Sequence, residues 1–345
     1  MERPRLTFFC ELEPDPLEAL FQHGLIDDLL EMKACLSLGI LDLSQERAEV
    51  VRRLNQAGVP VTAWLLLPKD QGYWLNPDNY VQAAERYDAF RAWSDKFGLV
   101  WDGIGLDFEP DIHEMELLAG DRWRLLPRLV RHAFNRGRLK AARLAYQELV
   151  ERMHADGYPV ESYQIFLIAD DRQVHSTLLQ RLMSMVDVKV DKEVWMLYTS
   201  FFRHSVGSEG IPLGLGVLWN YAPEAQAIGL GSTGGGVDLT HGDLQPLTWD
   251  ELSRDLRLAW SWTDNLYIFS LEGCVRQGFL PGLKDFVWDQ PVLPPEQGSA
   301  WVAGWRHTLG TLLWISANMT AILLSLAGVS VILLQLRRML KRRSR

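Results

Sequence analysis

Short runs of β-branched and aromatic residues alternate along the chain with longer stretches whose apolar positions recur every three to four residues. The first pattern predicts strands and the second amphipathic helices. Eight candidate strands follow one another at 6–11, 34–41, 59–67, 103–109, 163–169, 194–199, 225–230 and 266–271. Helical periodicity occupies 45–57, 81–97, 139–155, 176–186 and 249–260, and Gly58-Val-Pro60 and Gly157-Tyr-Pro159 supply turns before the third and fifth strands. Strand and helix in alternation imply a parallel sheet covered by helices. Eight such units within residues 1–288 fit a (β/α)8 TIM barrel better than an open doubly wound sheet.

Two connections exceed the regular length. Residues 111–156 leave room for a helical insertion after the fourth strand, and 201–222 form a long excursion expected to shield one side of a cleft. Residues 289–307, which open with Pro291, Pro294 and Pro295, read as a semi-rigid juxtamembrane stalk.

The hydropathy then changes character. From Thr308 to Leu336 there are 29 residues without a charge, rich in Leu, Ile, Val and Ala, where ~20 apolar residues suffice to span a bilayer as a helix. Trp301, Trp305 and Trp314 lie at one end, and Arg337, Arg338, Lys341, Arg342, Arg343 and Arg345 lie at the other, as aromatic belts and flanking cations do at membrane interfaces. The pattern predicts a single-pass C-terminal transmembrane helix at 308–336, a basic tail at 337–345, and a lipid bilayer as partner. A basic tail belongs on the cytoplasmic side, whereas residues 1–15 show no signal-peptide pattern. The barrel is therefore expected outside the cytoplasm if a leader precedes this sequence, and inside it otherwise.

Charge narrows the partners further. Residues 1–305 hold 28 Lys and Arg against 44 Asp and Glu, a net of −16. Such a body repels a phosphate backbone, so nucleic acid is not an expected partner. Cys10, Cys35 and Cys274 are too scattered for a disulfide framework or a zinc site, and read as buried thiols.

In a barrel of this class the reacting groups stand at the C-terminal ends of the strands, and these ends are acidic here: Glu11 and Glu13, Asp42, Asp70, Asp107 with Glu109 and Asp111, Asp170-Asp171, and Glu272. Strand alternation places Gly103, Gly105, Asp107 and Glu109 on one face of the fourth strand. Two carboxylates so close raise one another's proton affinity, which makes a proton donor at neutral pH. A glycosidic oxygen needs such a donor as it leaves. Solvated carboxylates at a strand end are the plainer reading of the same spacing.

The segment Trp101-Asp-Gly-Ile-Gly-Leu-Asp-Phe-Glu109 resembles the fourth-strand signature of the chitinase-like glycoside hydrolases of family eighteen, Asp-Gly-x-Asp, an apolar residue, then Asp-x-Glu. Asp102, Gly103, Leu106, Asp107 and Glu109 match, while Gly105 replaces the middle carboxylate. The resemblance implies that Glu109 is the general acid and that Asp107 orients a substrate N-acetyl group, whose carbonyl is the internal nucleophile. Met196-Leu-Tyr198-Thr is similar to the family's Met-x-Tyr-Asp, which implies a hydrogen bond from Tyr198 to the reacting group, with Thr199 in place of Asp. The likeness is confined to 101–109 and 196–199.

Glu272, near the end of the eighth strand, opens a second mechanism in which it and Glu109 act as nucleophile and acid/base. Glu11, Asp170 and the flat rings of Trp64, Trp195 and Trp219 are candidate substrate contacts among the chain's 14 Trp. Gly229–Gly236 could offer backbone amides to a phosphate, but has no P-loop lysine. The histidines show no metal spacing, and nothing requires that Asp170, Asp171 and Glu109 join around a cation, so no cofactor or metal is expected. The sequence thus predicts a membrane-anchored glycoside hydrolase-like enzyme acting on an oligo- or polysaccharide. The alternatives are an inactive carbohydrate- or partner-binding barrel, and a metal-dependent phosphodiesterase.

Overall fold

The computed structural model describes residues 3–343 apart from 23, 120–121, 203–212 and 237–244, without side chains at 118–119, 122, 124–125, 323, 326, 328 and from 330 onward. The chain opens with β1 (Arg5–Cys10), α1 (Pro14–Leu20) and α2 (Leu25–Met32), then β2 (Cys35–Ile40), α3 (Gln45–Ala57), β3 (Val61–Leu65) and α4 (Tyr80–Phe97). After β4 (Gly103–Phe108) come three consecutive helices, α5 (Ile112–Ala119), α6 (Arg122–Phe134) and α7 (Arg136–Ala155), which fill the expected insertion. There follow β5 (Val160–Ile165), α8 (Ile168–Gln173), α9 (Leu178–Leu182), β6 (Lys192–Met196), α10 (Leu213–Tyr221), β7 (Ala227–Gly231), α11 (Trp249–Trp260) and β8 (Asn265–Phe269). The last three helices are α12 (Leu271–Arg276), α13 (Leu280–Lys284) and α14 (Glu296–Arg343).

All eight strands pair in parallel in sequence order, and β8 closes on β1. The helix ends follow from local chemistry. Ser44 accepts from the Arg47 amide at the start of α3, and left-handed Gly58 ends that helix. Thr248 and Glu251 cap α11 reciprocally.

Alternation divides each strand between two cores. Outward residues such as Leu36, Leu38, Leu106, Phe108 and Ile228 pack under the helices. Inward residues Phe9, Trp64, Tyr163, Val194, Ala227 and Tyr267 fill the barrel, so the lumen is packed rather than open. Its lower layer is polar. Tyr163 and Tyr267 donate to the two oxygens of Glu161 at 2.8 and 2.6 Å, and Lys192 Nζ donates to Glu161 at 3.1 Å.

This polar layer explains the most displaced strand. The apolar run 163–169 predicted β5, but the strand occupies Val160–Ile165 and the run continues into α8. Glu161 and Tyr163 point inward because the lumen supplies their partners, so hydrophobicity alone misplaces the register. Residues 176–186 likewise contain only the short α9, followed by left-handed Ser184.

Gly105 owes its lack of a side chain to the same layer. An added methyl there would overlap the Tyr163 ring, 2.6 Å from Cζ, and Tyr163 is held by Ser37 at 2.5 Å and by Glu161. Gly105→Ala should therefore lower stability by about 2 kcal/mol through overpacking, measured by thermal unfolding, and Tyr163→Leu in the same chain should recover part of it.

The expected stalk is only partly unstructured. Residues 289–295 lack regular structure, but Glu296 opens α14, whose first turns dock on the barrel. Gly216 of α10 packs against the Gly298 main chain, Asn220 Nδ2 donates to Ser299 O at 3.1 Å, and Val302 and Leu313 are buried. Arg306 reaches Asp170 Oδ1 (3.1 Å), Asn220 O (2.6 Å) and Glu224 Oε1 (2.8 Å), with its guanidinium 4.0 Å from the Tyr221 ring centroid. The rest of the expected span 308–336 continues as helix, with Trp314, Ile315, Met319, Leu324 and Val329 exposed. Among the described residues no helix is long and apolar enough to cross a membrane, and the stretch from 330 on lies outside the described side chains.

Candidate active site

The carboxylates converge where alternation puts them, at the C-terminal end of the barrel. Asp107 is the last inward residue within β4, and Glu109 follows it in the same phase. Asp107 is buried, whereas Glu109 keeps part of its surface open to solvent. The Trp64 indole N–H, from the adjacent strand, donates to Asp107 Oδ2 at 3.1 Å. Tyr73, on the loop after β3, donates to Glu11 Oε1 from the end of β1. Tyr198 stands beyond β6 with its ring stacked on Phe269 at 5.7 Å.

Burial pushes Glu109 up to about 7. Burial, reinforced by the charges of Glu109 and Glu11, pushes Asp107 well above the usual carboxylate range. The charge of Glu109 adds to the rise of Asp107, whereas a hydrogen bond with Asp107 partly offsets the rise of Glu109, so the pair holds at least one proton near neutrality. Burial, with the nearby charges of Glu109, Asp107 and Glu11, also raises Tyr198, which stays a hydroxyl donor.

A stability consequence follows from the sign of these shifts. Carboxyls raised in the folded state bind protons more tightly than in the unfolded chain, so their contribution is full below the ordinary carboxyl range and is lost as pH rises through the folded value, about 7 for Glu109. Asp107→Asn should therefore raise the unfolding free energy near pH 8 by about 2 kcal/mol, with little gain near pH 4. Chemical denaturation at the two pH values checks this.

Glu272 does not join the pair. It lies in α12 beneath the glycine loop, where an added methyl at Gly235 would collide with its carboxylate and the Ser270 hydroxyl. Burial raises it, and its neighbours are Ser270, Cys10 and the Glu11 main chain. Gly236 packs on Phe269 and 2.5 Å, measured from an added methyl, from Glu11 Oε2. The glycine loop thus rests on carboxylates, a poor seat for phosphate.

Three expected sugar contacts lie elsewhere. Asp170, fully buried on α8, accepts from Tyr221 at 2.6 Å and from Arg306, and so holds α10 and α14. Asp171 accepts from the Gln180 amide at 2.9 Å, so neither aspartate turns toward Glu109. Trp195 has the outward phase of β6, packs in the outer core, and lines an open 410 Å3 cleft on the barrel's side with Ala169, Arg172, Gln173 and Glu224. Trp219 sits on α10, edge-on to Trp262 at 6.0 Å. Thr199 turns away as well, donating to buried Asp255 on α11.

The sequence pattern did not single out Tyr73 or Phe269. Phe269 was legible as an inward β8 position. Tyr73 was not, because it reaches the mouth through a turn in which both Gly72 and Tyr73 have positive φ. Among the described residues no group of three or more His, Cys, Asp or Glu is disposed to hold a metal ion.

No family model matches the sequence, and comparison with curated proteins finds no match. Solved structures share its general shape. A GH18 chitinase from Pseudoalteromonas aurantia is 13% identical, with a TM-score of 0.44 over 82% of this chain and 100% of that one. A D-allulose 3-epimerase from Methylomonas sp. is 8% identical, with a TM-score of 0.41 over 89% of this chain and 99% of that one. ScGas2 in complex with a small compound is 13% identical, with a TM-score of 0.44 over 86% of this chain and 67% of that one. Likenesses this remote carry no chemistry to this chain, and its barrel stands on its own paired strands.

Proposed function

We propose that the protein is a carbohydrate-active barrel in which the Asp107–Glu109 pair delivers a proton to a glycosidic oxygen. The observation that carries this reading is the convergence of the Asp107 and Glu109 carboxyls at the mouth of the barrel, with the Trp64 indole on Asp107. Glu109, the partly open member, is pushed to about 7 and backed by buried Asp107. The surrounding rings of Trp64, Tyr73, Tyr198 and Phe269 give flat apolar faces of the kind sugars stack on.

In the proposed step the Glu109 proton passes to the leaving oxygen as the bond to the anomeric carbon breaks. The resemblance in β4 supplies the electron pair from a substrate N-acetyl carbonyl, and water later opens the cyclic intermediate, returning a proton to Glu109. Asp107, anchored by Trp64, keeps its proton and steadies the Glu109 carboxylate left behind, and the Tyr198 hydroxyl donates to the reacting group. Gly105 and Thr199 favour a second reading, a sugar-binding barrel without turnover, because both departures from the family pattern are filled by other structural uses. Hydrolysis of an aryl glycoside panel that disappears in Glu109→Gln supports the first reading, and sugar binding without turnover in either chain supports the second.

The membrane anchor is part of the proposal. Leu313 is the last buried side chain among the described residues of α14, which leaves residues 314–336, 23 in number, or about 34 Å of helix. The basic tail would then be cytoplasmic and the barrel on the opposite side. Resistance to alkaline carbonate extraction tests the span, and protease protection of the barrel in sealed vesicles tests the side.

A further inference from the structure

α6 carries an apolar stripe with nothing on it. Trp123 is 83% exposed, Leu126 49%, Val130 52% and Phe134 84%, and their spacing of three and four puts them along one side of the helix. His132, two residues from both Val130 and Phe134, is buried on the other side, 3.3 Å from Ser184 Oγ. The helix therefore grips the body through α5 and α9 and turns its largest apolar groups to solvent. Leaving a Trp and a Phe almost wholly exposed at the two ends of one helical stripe costs hydrophobic free energy that a covering phase would recover.

Charge identifies that phase. From Arg122 to Gln147 the chain has eight Lys and Arg and no Asp or Glu, inside a body whose net charge over residues 1–305 is −16. Arg128 and Arg131 on α6, and Arg136 and Lys140 just beyond it, are exposed. An apolar stripe bordered by exposed arginines is the arrangement of a helix lying in the headgroup plane, with its rings among the acyl chains and its cations on anionic lipid. Place agrees with charge. α9, on which α6 packs, is also touched by α14, so the stripe and the long apolar helix lie on the same side of the barrel.

We propose that α6 is an interfacial helix that seats the barrel on an anionic bilayer, with Trp123, Leu126, Val130 and Phe134 inserted and the neighbouring arginines on lipid phosphates. The assignment does not depend on the glycosidase reading, nor on whether α14 crosses the bilayer.

The test uses the full chain with Val130→Cys carrying an environment-sensitive nitrobenzoxadiazole label. The three native cysteines are buried, so the label goes to the introduced thiol, and Gln56→Cys on exposed α3 is the control. Vesicles of phosphatidylcholine with one quarter phosphatidylglycerol should brighten and blue-shift the label at 130 severalfold more than phosphatidylcholine alone, with no change at 56. Trp123→Glu together with Phe134→Glu, both exposed and so harmless to folding, should abolish the response. An unchanged label at 130 on anionic vesicles would overturn the assignment. So would an equal response at 56, or the same blue shift on raising protein concentration without vesicles, which would assign the stripe to a second copy of the chain.

Discussion

Glu109→Gln should lower the turnover of a cleavable aryl glycoside by about a thousandfold while leaving its binding within about twofold. The amide keeps the shape of the side chain and its place beside Asp107 but has no proton of suitable acidity to give. The same substitution removes one of two buried acids that repel each other on ionisation. It should therefore stabilise the fold near pH 8 even as it silences the site, by about 2 kcal/mol after allowing for the partly solvated face of Glu109. In the unsubstituted protein turnover should fall as pH rises above about 7, where Glu109 loses its proton. Steady-state kinetics across pH with denaturation in parallel separates this account from a merely structural Glu109, whose loss would lower activity and stability together.

Arg306→Ala should destabilise the protein by about 3 kcal/mol. The guanidinium satisfies Asp170, Asn220 and Glu224 at once and covers the Tyr221 ring, and Asp170 has no exposed surface through which water could replace it. Tyr221 would remain as a partner of Asp170, but a hydroxyl cannot compensate a buried charge as an arginine does. Docking of α14 should loosen as well, read as faster amide exchange along 296–313, while Arg306→Lys should recover only part of the loss because one ammonium cannot span three acceptors.

The barrel was legible because its strands obey a period of two almost everywhere. Leu36, Leu38 and Ile40 alternate with Ser37 and Gly39, and in β4 the same alternation puts Asp107 and Glu109 in the inward phase. It failed at β5, where Glu161 and Tyr163 face a lumen that supplies hydrogen-bond partners, so the polar residues belong to the strand and the apolar run after them to a helix. The aromatic candidates divided by phase. Trp64 is inward and touches Asp107, whereas Trp195 is outward and serves the helix layer. Asp170 misled because proximity to a strand end in sequence does not fix the direction of a side chain once a helix begins at Ile168. Tyr73 carried no signal, since its approach to Glu11, 62 residues away, depends on the left-handed turn at Gly72 and Tyr73 that no hydrophobic pattern marks.

The proton held by the Asp107–Glu109 pair is the claim on which the rest depends, and infrared difference spectra between the protein and Glu109→Gln, recorded from about pH 5 to about pH 9, measure it directly. A protonated-carboxyl band present at neutral pH, losing its Glu109 component as pH rises through about 7 and altered in both Glu109→Gln and Asp107→Asn, is the predicted result. Full ionisation of both carboxyls by about pH 5, with no band to lose, would contradict it and remove the proton donor from the site.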